Sequence, residues 1–371
     1  MRFRGLALIC ILFILGCSKD EAGLDTEPVN ISDESIPYNI EVVAEGLNVP
    51  WEMAFTDEET IYFTERPGSL RVIRNGELRK GPLLELGSPF ISKGEGGLLG
   101  LEIDPNFEAN HYMYIYHSYE KDGVVQNRVL RLIVQEDKAE IDRVILDDIV
   151  GDTNHNGGRI KIGPDGMLYI TAGDMYEPDL AQDKDSMGGK IFRIHLDGSI
   201  PEDNPFPDSP VYSYGHRNPQ GLAWHPETQQ LYSSEHGQSA HDEINQIEAG
   251  KNYGWPIIEG NQAEAEMVSP ILHSGNETWA PSGMTFISTG PWKNQLLVAN
   301  LRGNQILKVE LEPNGEEVKN VEPLFQEKYG RIRNVVEGPD GSLYIMTNNQ
   351  DGRGTPIDGD DRIIRMVPRN R

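Results

Sequence analysis

The sequence predicts an all-β protein, a six-bladed β-propeller built from four-stranded antiparallel blades. The first observation behind this prediction is composition, because 39 Gly, 24 Pro and a hydrophobic content of 37% are typical of many short strands and turns. The second is that helical periodicity is absent over any long window. The third is repetition along the chain. A length of 371 residues exceeds the usual single domain, but closed all-β rings reach this size as one unit.

The repeats set the number of blades. Each unit has a turn, a short β-rich run, a second turn and a second run, and the paired runs are 60–64 with 70–73, 111–116 with 128–132, 167–171 with 190–194, 230–234 with 243–247, 295–299 with 305–309, and 342–346 with 362–366. The units recur at roughly 45–65 residues, near the length of a propeller blade. Such sheets bury their faces only against neighbours, and ring closure leaves few exposed edges. The alternative is a two-layer sandwich, which does not need six equivalent units.

The N-terminus is predicted to be a targeting segment. Arg2 and Arg4 precede an apolar run, 6–15, which is too short to span a bilayer comfortably. The Ile-Leu-Gly-Cys sequence that ends at Cys17 resembles the lipobox of bacterial lipoproteins. This resemblance implies cleavage before Cys17 and attachment of lipid to its sulfur. An ordinary secretory signal with an incidental cysteine is the alternative.

These features predict three regions: a lipoprotein signal peptide over 1–16, a flexible polar tether over 17–38 and the propeller over 39–371. The only other cysteine, Cys10, lies in the segment that is removed, so the mature domain is expected to have no disulfide. The lipid would hold the protein to the bacterial cell envelope outside the cytoplasm, with the membrane face left open.

The charge of the chain excludes one class of partner. A formal net charge of −26 at pH 7 would repel nucleic acid over most of the surface. The simplest interpretation of the acidity is a solvated surface. In so acidic a chain, a local group of arginines is a candidate for a specific role.

His155 is the main candidate for chemistry. It lies in the Gly-rich segment 154–159, directly before an alternating strand pattern at 160–170. Imidazole is the side chain best suited to accept a proton near neutral pH. A histidine in a loop that is simply solvated is the alternative.

Arg331 and Arg333 indicate an anion site. Because they are two residues apart, an extended strand would project both side chains from one face. Two like charges side by side are costly unless an anion lies between them, and guanidinium groups bind carboxylates bidentately. Pairing with the many carboxylates of the chain is the alternative.

Several motifs together resemble one known family. The matching segments are 49–53, 64–68, 94–100, 154–159, 215–221 and 330–333. The chain resembles the soluble quinoprotein sugar dehydrogenases, the glucose, aldose sugar and sorbosone dehydrogenases that depend on pyrroloquinoline quinone (PQQ). The resemblance covers nearly all of the chain from about residue 40 and implies a six-bladed propeller, the fold that the repeats predict.

The resemblance implies roles for individual residues. His155 would be the general base that takes the proton of the sugar C1 hydroxyl while hydride moves to the quinone C5. Arg217 would act beside the quinone with Asn218 and stabilise negative charge there. The residues expected to bind the cofactor are Glu95, His155, Arg217, Asn218, Arg302, Arg331 and Arg333.

Two of these positions depart from the family pattern. Arg302 falls where the family often has a lysine. Glu95 stands where several members have glutamine, and its carboxylate adds negative charge close to an anionic cofactor. We expect glutamate at position 95 to affect the substrate range and the reaction rate more than the fold.

The resemblance also implies calcium. The backbone carbonyls of Gly237 and Gln238 would hold the Ca²⁺ that chelates PQQ and polarises its C5 carbonyl, with Gln238 in place of the usual proline. Glu243 and the carbonyl of Tyr253 would hold a second calcium, although an acidic residue in a turn is usually only solvated. No grouping of Cys and His suggests zinc.

Two further residues have open roles. Asp174 lies near the His155 strand and would orient the imidazole, or would be an ordinary turn residue. Trp279 would form a wall for the substrate, or would pack in the core.

The expected function is PQQ- and calcium-dependent oxidation of aldose sugars to lactones, with electrons passed to an acceptor outside the cytoplasm. The chain has no Cys-x-x-Cys-His haem signature, so a separate acceptor is required. The alternatives are a non-catalytic propeller that binds a glycan or a protein, and a lactonase, which the arginine content opposes.

Overall fold

A computed structural model describes residues 36–369 and confirms the predicted fold class. Six antiparallel sheets follow one another along the chain, and each first strand packs against the neighbouring sheet around a closed ring. In five sheets the first strand is therefore the inner strand of a blade, whereas the sixth sheet also contains the N-terminal strand as its outer strand. The architecture is a six-bladed propeller.

The strands are numbered in chain order, starting with β1 (Tyr38–Ala44). Blade 1 has β2 (Pro50–Phe55), β3 (Thr60–Glu65), β4 (Ser69–Arg74) and β5 (Glu77–Leu78), with β6 (Leu84–Glu85) also paired to β4. Blade 2 has β7 (Leu98–Ile103), β8 (Tyr112–Lys121), β9 (Val124–Val134) and β10 (Ala139–Val150). Blade 3 has β11 (Ile160–Ile162), β12 (Leu168–Ala172), β13 (Lys190–Ile194) and β14 (Val211–Tyr214).

Blade 4 has β15 (Pro219–Trp224), β16 (Leu231–Glu235), β17 (Glu243–Ile247) and β18 (Leu272–His273). Blade 5 has β19 (Pro281–Phe286), β20 (Leu296–Asn300), β21 (Gln305–Leu311) and β22 (Val318–Leu324). Blade 6 has β23 (Ile332–Glu337), β24 (Leu343–Thr347) and β25 (Ile363–Pro368), and β1 is its outer strand. The paired runs predicted from the sequence fall on the second and third strands of every blade.

Helix is scarce in this part of the chain. It is limited to one α-helical turn, α1 (Phe107–Asn110), and one 3₁₀ turn (Pro178–Ala181). Neither these turns nor any other helical segment within 36–369 has the length and apolar character that a membrane span requires.

The ring is closed by strands from both ends of the domain. β1 pairs antiparallel with β25, from Tyr38 opposite Pro368 to Ala44 opposite Ile363. The sheet of blade 6 therefore depends on residues separated by almost the whole chain.

The hydrophobic core lies between neighbouring blades. In one cluster, for example, Trp51 of blade 1, Tyr114 of blade 2 and Phe192 of blade 3 are each at most 1% exposed. Fully burying an apolar side chain of this kind contributes about 1.5–3 kcal/mol. The backbone of β7 lies close to the segment that precedes β11. A Cβ on Gly100 of β7 would lie only 2.4 Å from the carbonyl oxygen of Gly158.

The inner strands position the site. All six run in the same direction through the ring, so the loops that lead into them meet at one end of the central channel. This end carries the segments around Glu95, His155, Arg217 and Arg331, which precede β7, β11, β15 and β23 respectively.

Candidate active site

The backbone around His155 is held tightly. His155 has a left-handed φ of 57°, and its N–H donates to Glu95 Oε2 at 3.2 Å. Gly173 packs against it so closely that a Cβ there would lie 2.0 Å from the His155 carbonyl oxygen. The position of the imidazole is therefore imposed by two neighbouring loops.

Asp174 orients the His155 ring. The Nδ1–H of His155 donates to Asp174 Oδ1 at 2.6 Å, and Trp255 Nε1 donates to the other carboxylate oxygen at 2.8 Å. The Asp174 N–H in turn donates to the carbonyl of Arg217 at 2.8 Å. Because Nδ1 holds the hydrogen, Nε2 carries the free lone pair, and no protein group within 36–369 bonds to it. A histidine in this arrangement can accept a proton at Nε2, and the hydrogen bond to Asp174 corresponds to the orienting role that was one of its two predicted roles.

A cavity of about 170 Å³ lies at this end of the channel. Its lining residues are Arg66, Gly94, Glu95, Gln220, His236, Leu301, Arg331, Arg333, Asp351, Gly352 and Arg353. We call it the central cavity. Its four arginines outnumber its two carboxylates, whereas the chain as a whole is strongly acidic. The central cavity therefore suits a negatively charged ligand.

Arg331 and Arg333 both line the central cavity, but their partners differ. Arg331 donates to Asp351 Oδ2 from Nε at 3.0 Å and from Nη2 at 2.7 Å. Arg333 is 4% exposed and bonds only neutral groups, including Gln220 Oε1 at 2.8 Å and Asn348 Oδ1 at 2.9 Å. Burial lowers the pKa of Arg333 to about 9. Pairing with a carboxylate, the alternative left open by the sequence, thus describes Arg331 and not Arg333.

Arg217 and Asn218 connect this cavity to the His155 loop. Arg217 Nη1 donates to the carbonyl of His236, and its guanidinium lies 5.3 Å from the ring centroid of Trp255. Burial lowers the pKa of Arg217. Asn218 Oδ1 accepts the N–H of Gly157 at 3.0 Å, so blade 4 supports the loop that carries the imidazole.

Several buried nitrogen atoms around the cavity lack a hydrogen-bond partner. They are Arg66 Nε, Arg217 Nε, Asn218 Nδ2, His236 Nε2 and Arg333 Nε. Buried polar groups are almost always satisfied, so a set of unpaired nitrogens in one place indicates a missing ligand. Most of these atoms are donors, and they suit a ligand with several acceptor oxygens.

The carboxylate of Glu95 is not left unpaired. Arg353 binds Glu95 Oε1 through Nη1 and Asn154 Oδ1 through Nη2, the latter at 2.7 Å. Although burial acts to raise the pKa of Glu95, the nearby His236 and Arg353 hold it at about 2. The extra negative charge predicted at this position is therefore offset by Arg353.

The geometry and the motifs agree with a comparison to known proteins. The model of the glucose/sorbosone dehydrogenase family matches residues 47–364. The chain belongs to this family. The resemblance stated from the motifs is thereby confirmed, together with the classification as an oxidoreductase of the sugar dehydrogenase type.

Individual relatives cover most of the chain. Aldose sugar dehydrogenase YliI of Escherichia coli is 31% identical over 90% of this chain and 93% of its own length. A Thermus thermophilus oxidoreductase described as a glucose dehydrogenase is 42% identical, with a TM-score of 0.83 over 89% of this chain and all of its own. The PQQ-bound aldose sugar dehydrogenase of Streptomyces coelicolor is 36% identical, with a TM-score of 0.81 over 89% of this chain and 98% of its own.

Arg302, which the resemblance implies to be a cofactor-binding residue, lies outside the central cavity. Arg302 is exposed, and its side chain lines a neighbouring surface pocket rather than the central cavity. That pocket shares Arg331 and Arg353 with the cavity. The structure therefore brings Arg331 and Arg333 together, but not Arg302.

The loop with Gly237 and Gln238 is fixed by Asp242. The Gly237 N–H donates to Asp242 Oδ1 at 2.9 Å, and Trp279 and Ala280 donate their N–H groups to Oδ2. A Cβ on Gly237 would lie 1.9 Å from the carbonyl oxygen of Ala240. This loop directly follows His236, which lines the central cavity.

The predicted second metal site is a buried pair of carboxylates. Glu243 lies opposite Glu235 in the sheet, and burial together with Glu235 raises the pKa of Glu243 to about 8. Nearby, Asn245 Oδ1 is buried without a partner. Tyr253 is also buried, with its ring stacked on His216 at 4.8 Å. Among the described residues, no group of three or more His, Cys, Asp or Glu is arranged to hold a metal ion.

Three site residues were not identified by sequence reasoning. Arg66 lay in a matching segment, 64–68, but no role was assigned to it. Arg353 and Tyr176, which lies beside His155, belong to loops without a matching motif. Trp279 is half-buried and packs against the core of blades 4 and 5, as its alternative interpretation expected.

Proposed function

We propose that the protein oxidises aldose sugars at the C1 hydroxyl to lactones with PQQ as cofactor. The observation that carries this proposal is Arg333, a buried cation with no carboxylate partner and an unpaired Nε, in a cavity next to the His155–Asp174 pair. The PQQ-bound relative from Streptomyces coelicolor supports the same cofactor.

The donor set fits PQQ. This cofactor carries three carboxylates, and the buried nitrogens without partners belong to side chains that bind such groups. Arg66, Arg331 and Arg333 would hold the carboxylates, while Arg217 and Asn218 lie between this set and His155. When bound, PQQ supplies the acceptor for the hydride of the sugar.

The residues of the chain would manage the proton. His155 Nε2 accepts the proton of the C1 hydroxyl, because Nδ1 is already committed to Asp174. The Asp174 carboxylate then stabilises the imidazolium that forms, and Trp255 keeps that carboxylate in place. Arg217 is a fixed positive charge that would stabilise negative charge developing on the oxygens nearby.

Calcium belongs to the same proposal. The carbonyls of Gly237 and Gln238 would hold one ion, and their loop is kept rigid by Asp242. Glu243 and the carbonyl of Tyr253 would hold a second, and the unpaired Asn245 Oδ1 supports a ligand there. A divalent cation would also favour the ionised form of Glu243.

The cellular setting is proposed from the N-terminal sequence. Cys17 and the tether up to residue 35 lie outside the residues that the structure describes. We infer a lipid anchor on Cys17, a location in the cell envelope outside the cytoplasm, and a separate electron acceptor there.

The deciding experiment is a titration of the purified protein with PQQ and Ca²⁺, followed by absorbance. We expect uptake of PQQ and reduction of an artificial dye with aldoses. His155→Ala should still take up PQQ but lose about 10²–10⁴-fold in kcat, since it removes the base. His225→Ala, remote from the cavity, is the matched control. Failure of the wild type to take up PQQ would reject the enzyme and favour a non-catalytic propeller.

A further inference from the structure

Tyr176 forms an exposed aromatic surface directly beside His155. The two ring centroids are 4.1 Å apart, and the rings are tilted by 44°. Tyr176 is 52% exposed, whereas His155 is 6% exposed. One side of the tyrosine ring therefore covers the imidazole, and much of the remaining surface faces solvent.

The same carboxylate oxygen fixes Tyr176 and the imidazole. Asp174 Oδ1 accepts the Nδ1–H of His155 at 2.6 Å and the backbone N–H of Tyr176 at 3.0 Å. The chain reaches this position through two left-handed residues, Met175 with a φ of 49° and Tyr176 with a φ of 67°. Residues other than glycine rarely adopt this conformation, so the surroundings impose the placement of the ring. Asp174 therefore fixes the position of the tyrosine relative to the imidazole.

The other residues around Tyr176, at the entrance of the site, are polar. Arg353 is close enough to Tyr176 to interact with it electrostatically, and it bonds Glu95 and Asn154 on the other side. Because Tyr176 is 52% exposed, a ligand can reach its side chain. An aromatic surface with polar groups around it is typical of sites for small polar ligands with one apolar face.

We propose that Tyr176 is a stacking platform that selects sugars in their closed pyranose form over open-chain substrates. This inference rests on the proposed function and names its substrate class. A pyranose ring has a rigid face of C–H groups that packs on an aromatic ring, whereas an open-chain polyol or aldehyde has no such face. A sugar stacked on the exposed side of Tyr176 would lie at the entrance of the site that contains His155. The platform therefore favours cyclic hemiacetals, which yield lactones.

The test uses the PQQ-loaded enzyme and two ligands that differ in shape. Methyl β-D-glucopyranoside is a closed ring that cannot be oxidised at C1, and D-glucitol is an open chain with similar hydroxyl groups. Their dissociation constants are measured as competitive inhibitors and by saturation-transfer NMR. We expect the wild type to prefer the glycoside, and Tyr176→Ala to lose about tenfold in glycoside affinity with little change for glucitol.

Further variants separate the platform from a structural role. Tyr176→Phe keeps the ring and should retain most of the affinity. Tyr176→Asn removes the ring but tolerates the left-handed backbone, so it should behave like Tyr176→Ala even if the latter folds poorly. In both ring-less variants the KM for glucose should rise about tenfold, while kcat and its pH profile stay close to wild type because Asp174 still holds His155. Tyr112→Ala, at the start of β8 in blade 2, is the control.

Unchanged glycoside affinity in Tyr176→Asn, with PQQ uptake and turnover intact, would overturn the platform and leave the proposed function standing. A loss confined to kcat with a displaced pH profile would also overturn it, because Tyr176 would then act only through His155. Absence of PQQ uptake by the wild type would reject both proposals.

Discussion

Arg333 and Arg159 are two buried arginines that lie close to Trp51. Their guanidinium groups lie 5.6 Å and 4.1 Å from the Trp51 ring, and neither residue is more than 4% exposed. Arg159 binds the fully buried carboxylate of Glu52, whereas Arg333 bonds only neutral groups. The same residue type in similar surroundings thus serves two purposes, and of the two only Arg159 has a carboxylate partner.

This contrast predicts opposite effects on stability. Arg333→Met should leave the free energy of unfolding unchanged or raise it slightly, because it removes a buried charge without a partner. The same change should weaken PQQ binding at least about tenfold, since a charge-assisted bond to a carboxylate is lost. Arg159→Met should cost up to about 3–5 kcal/mol, because the buried Glu52 would lose its close ion pair and keep only the more distant one with Lys161, whose Nζ lies 3.6 Å from Glu52 Oε2.

Urea unfolding and PQQ titration of both variants provide the measurement. The interpretation of Arg333 would be wrong if Arg333→Met destabilised the fold as much as Arg159→Met. It would also be wrong if PQQ affinity stayed at the wild-type level.

At the scale of strands, the sequence predicted the two middle strands of every blade, but it indicated an inner strand only after His155 and at Arg331–Arg333. The predicted runs have the β-branched and aromatic character of β3 and β4 and their equivalents. The inner strands lack that signal: β11 has only three residues, and β15 begins at Pro219. Inner strands are packed by neighbouring blades on both sides, and sequence periodicity does not report such contacts.

The sequence predicted those site residues that lie within motifs of the family. His155, Arg217, Arg331 and Arg333 lay in matching segments. Arg353 was not predictable, because its partner Glu95 is 258 residues away and meets it only when the ring closes. The exposed position of Arg302 was also not predictable, because it depends on the conformation of its loop and not on its residue type.

Strands β8 and β9 of blade 2 contain a histidine that should make stability depend on pH. His117 is 1% exposed; its Nδ1–H donates to the Ser118 carbonyl at 2.9 Å, and its Nε2 accepts from Arg128 at 3.0 Å. Burial lowers its pKa to about 4, so the ring is neutral in the folded protein. Between pH 4 and 6.5 the unfolded chain binds a proton at this residue that the folded chain does not.

The free energy of unfolding should therefore fall as pH drops from 6.5 toward 4. Since one pKa unit is worth about 1.4 kcal/mol, the contribution of His117 is on the order of 3 kcal/mol. His117→Gln keeps one donor and one acceptor without the titration, so its stability should depend less on pH over this range. Urea unfolding at several pH values measures the slopes, and parallel slopes for the two proteins would contradict the assignment.

For the whole molecule, the main electrostatic feature is a small cationic cavity in a chain of net charge −26. Two of the four arginines that line the cavity are offset, since Asp351 binds Arg331 and Glu95 binds Arg353. A bound anionic cofactor would offset the remainder. The field that an approaching electron acceptor meets is therefore negative overall.

This field predicts how the rate depends on salt. With PQQ-loaded enzyme, kcat/KM for ferricyanide should rise several-fold as ionic strength increases from about 0.01 to about 0.15 M, because the screening length shortens from about 30 to about 8 Å. A neutral quinone acceptor should show little change. Steady-state assays with both acceptors measure the effect. A fall in the ferricyanide rate would instead mean that cations at the mouth dominate the approach.

The shared sheet of β1 and β25 has a consequence for biosynthesis. Because Tyr38 lies opposite Pro368, the ring cannot close until the last residues have left the ribosome. Until then, blades 1 and 6 each expose an open side, and contacts of such long sequence separation form slowly. The chain therefore has to be kept from aggregating through almost its entire synthesis, and clipping near either terminus would open the same seam.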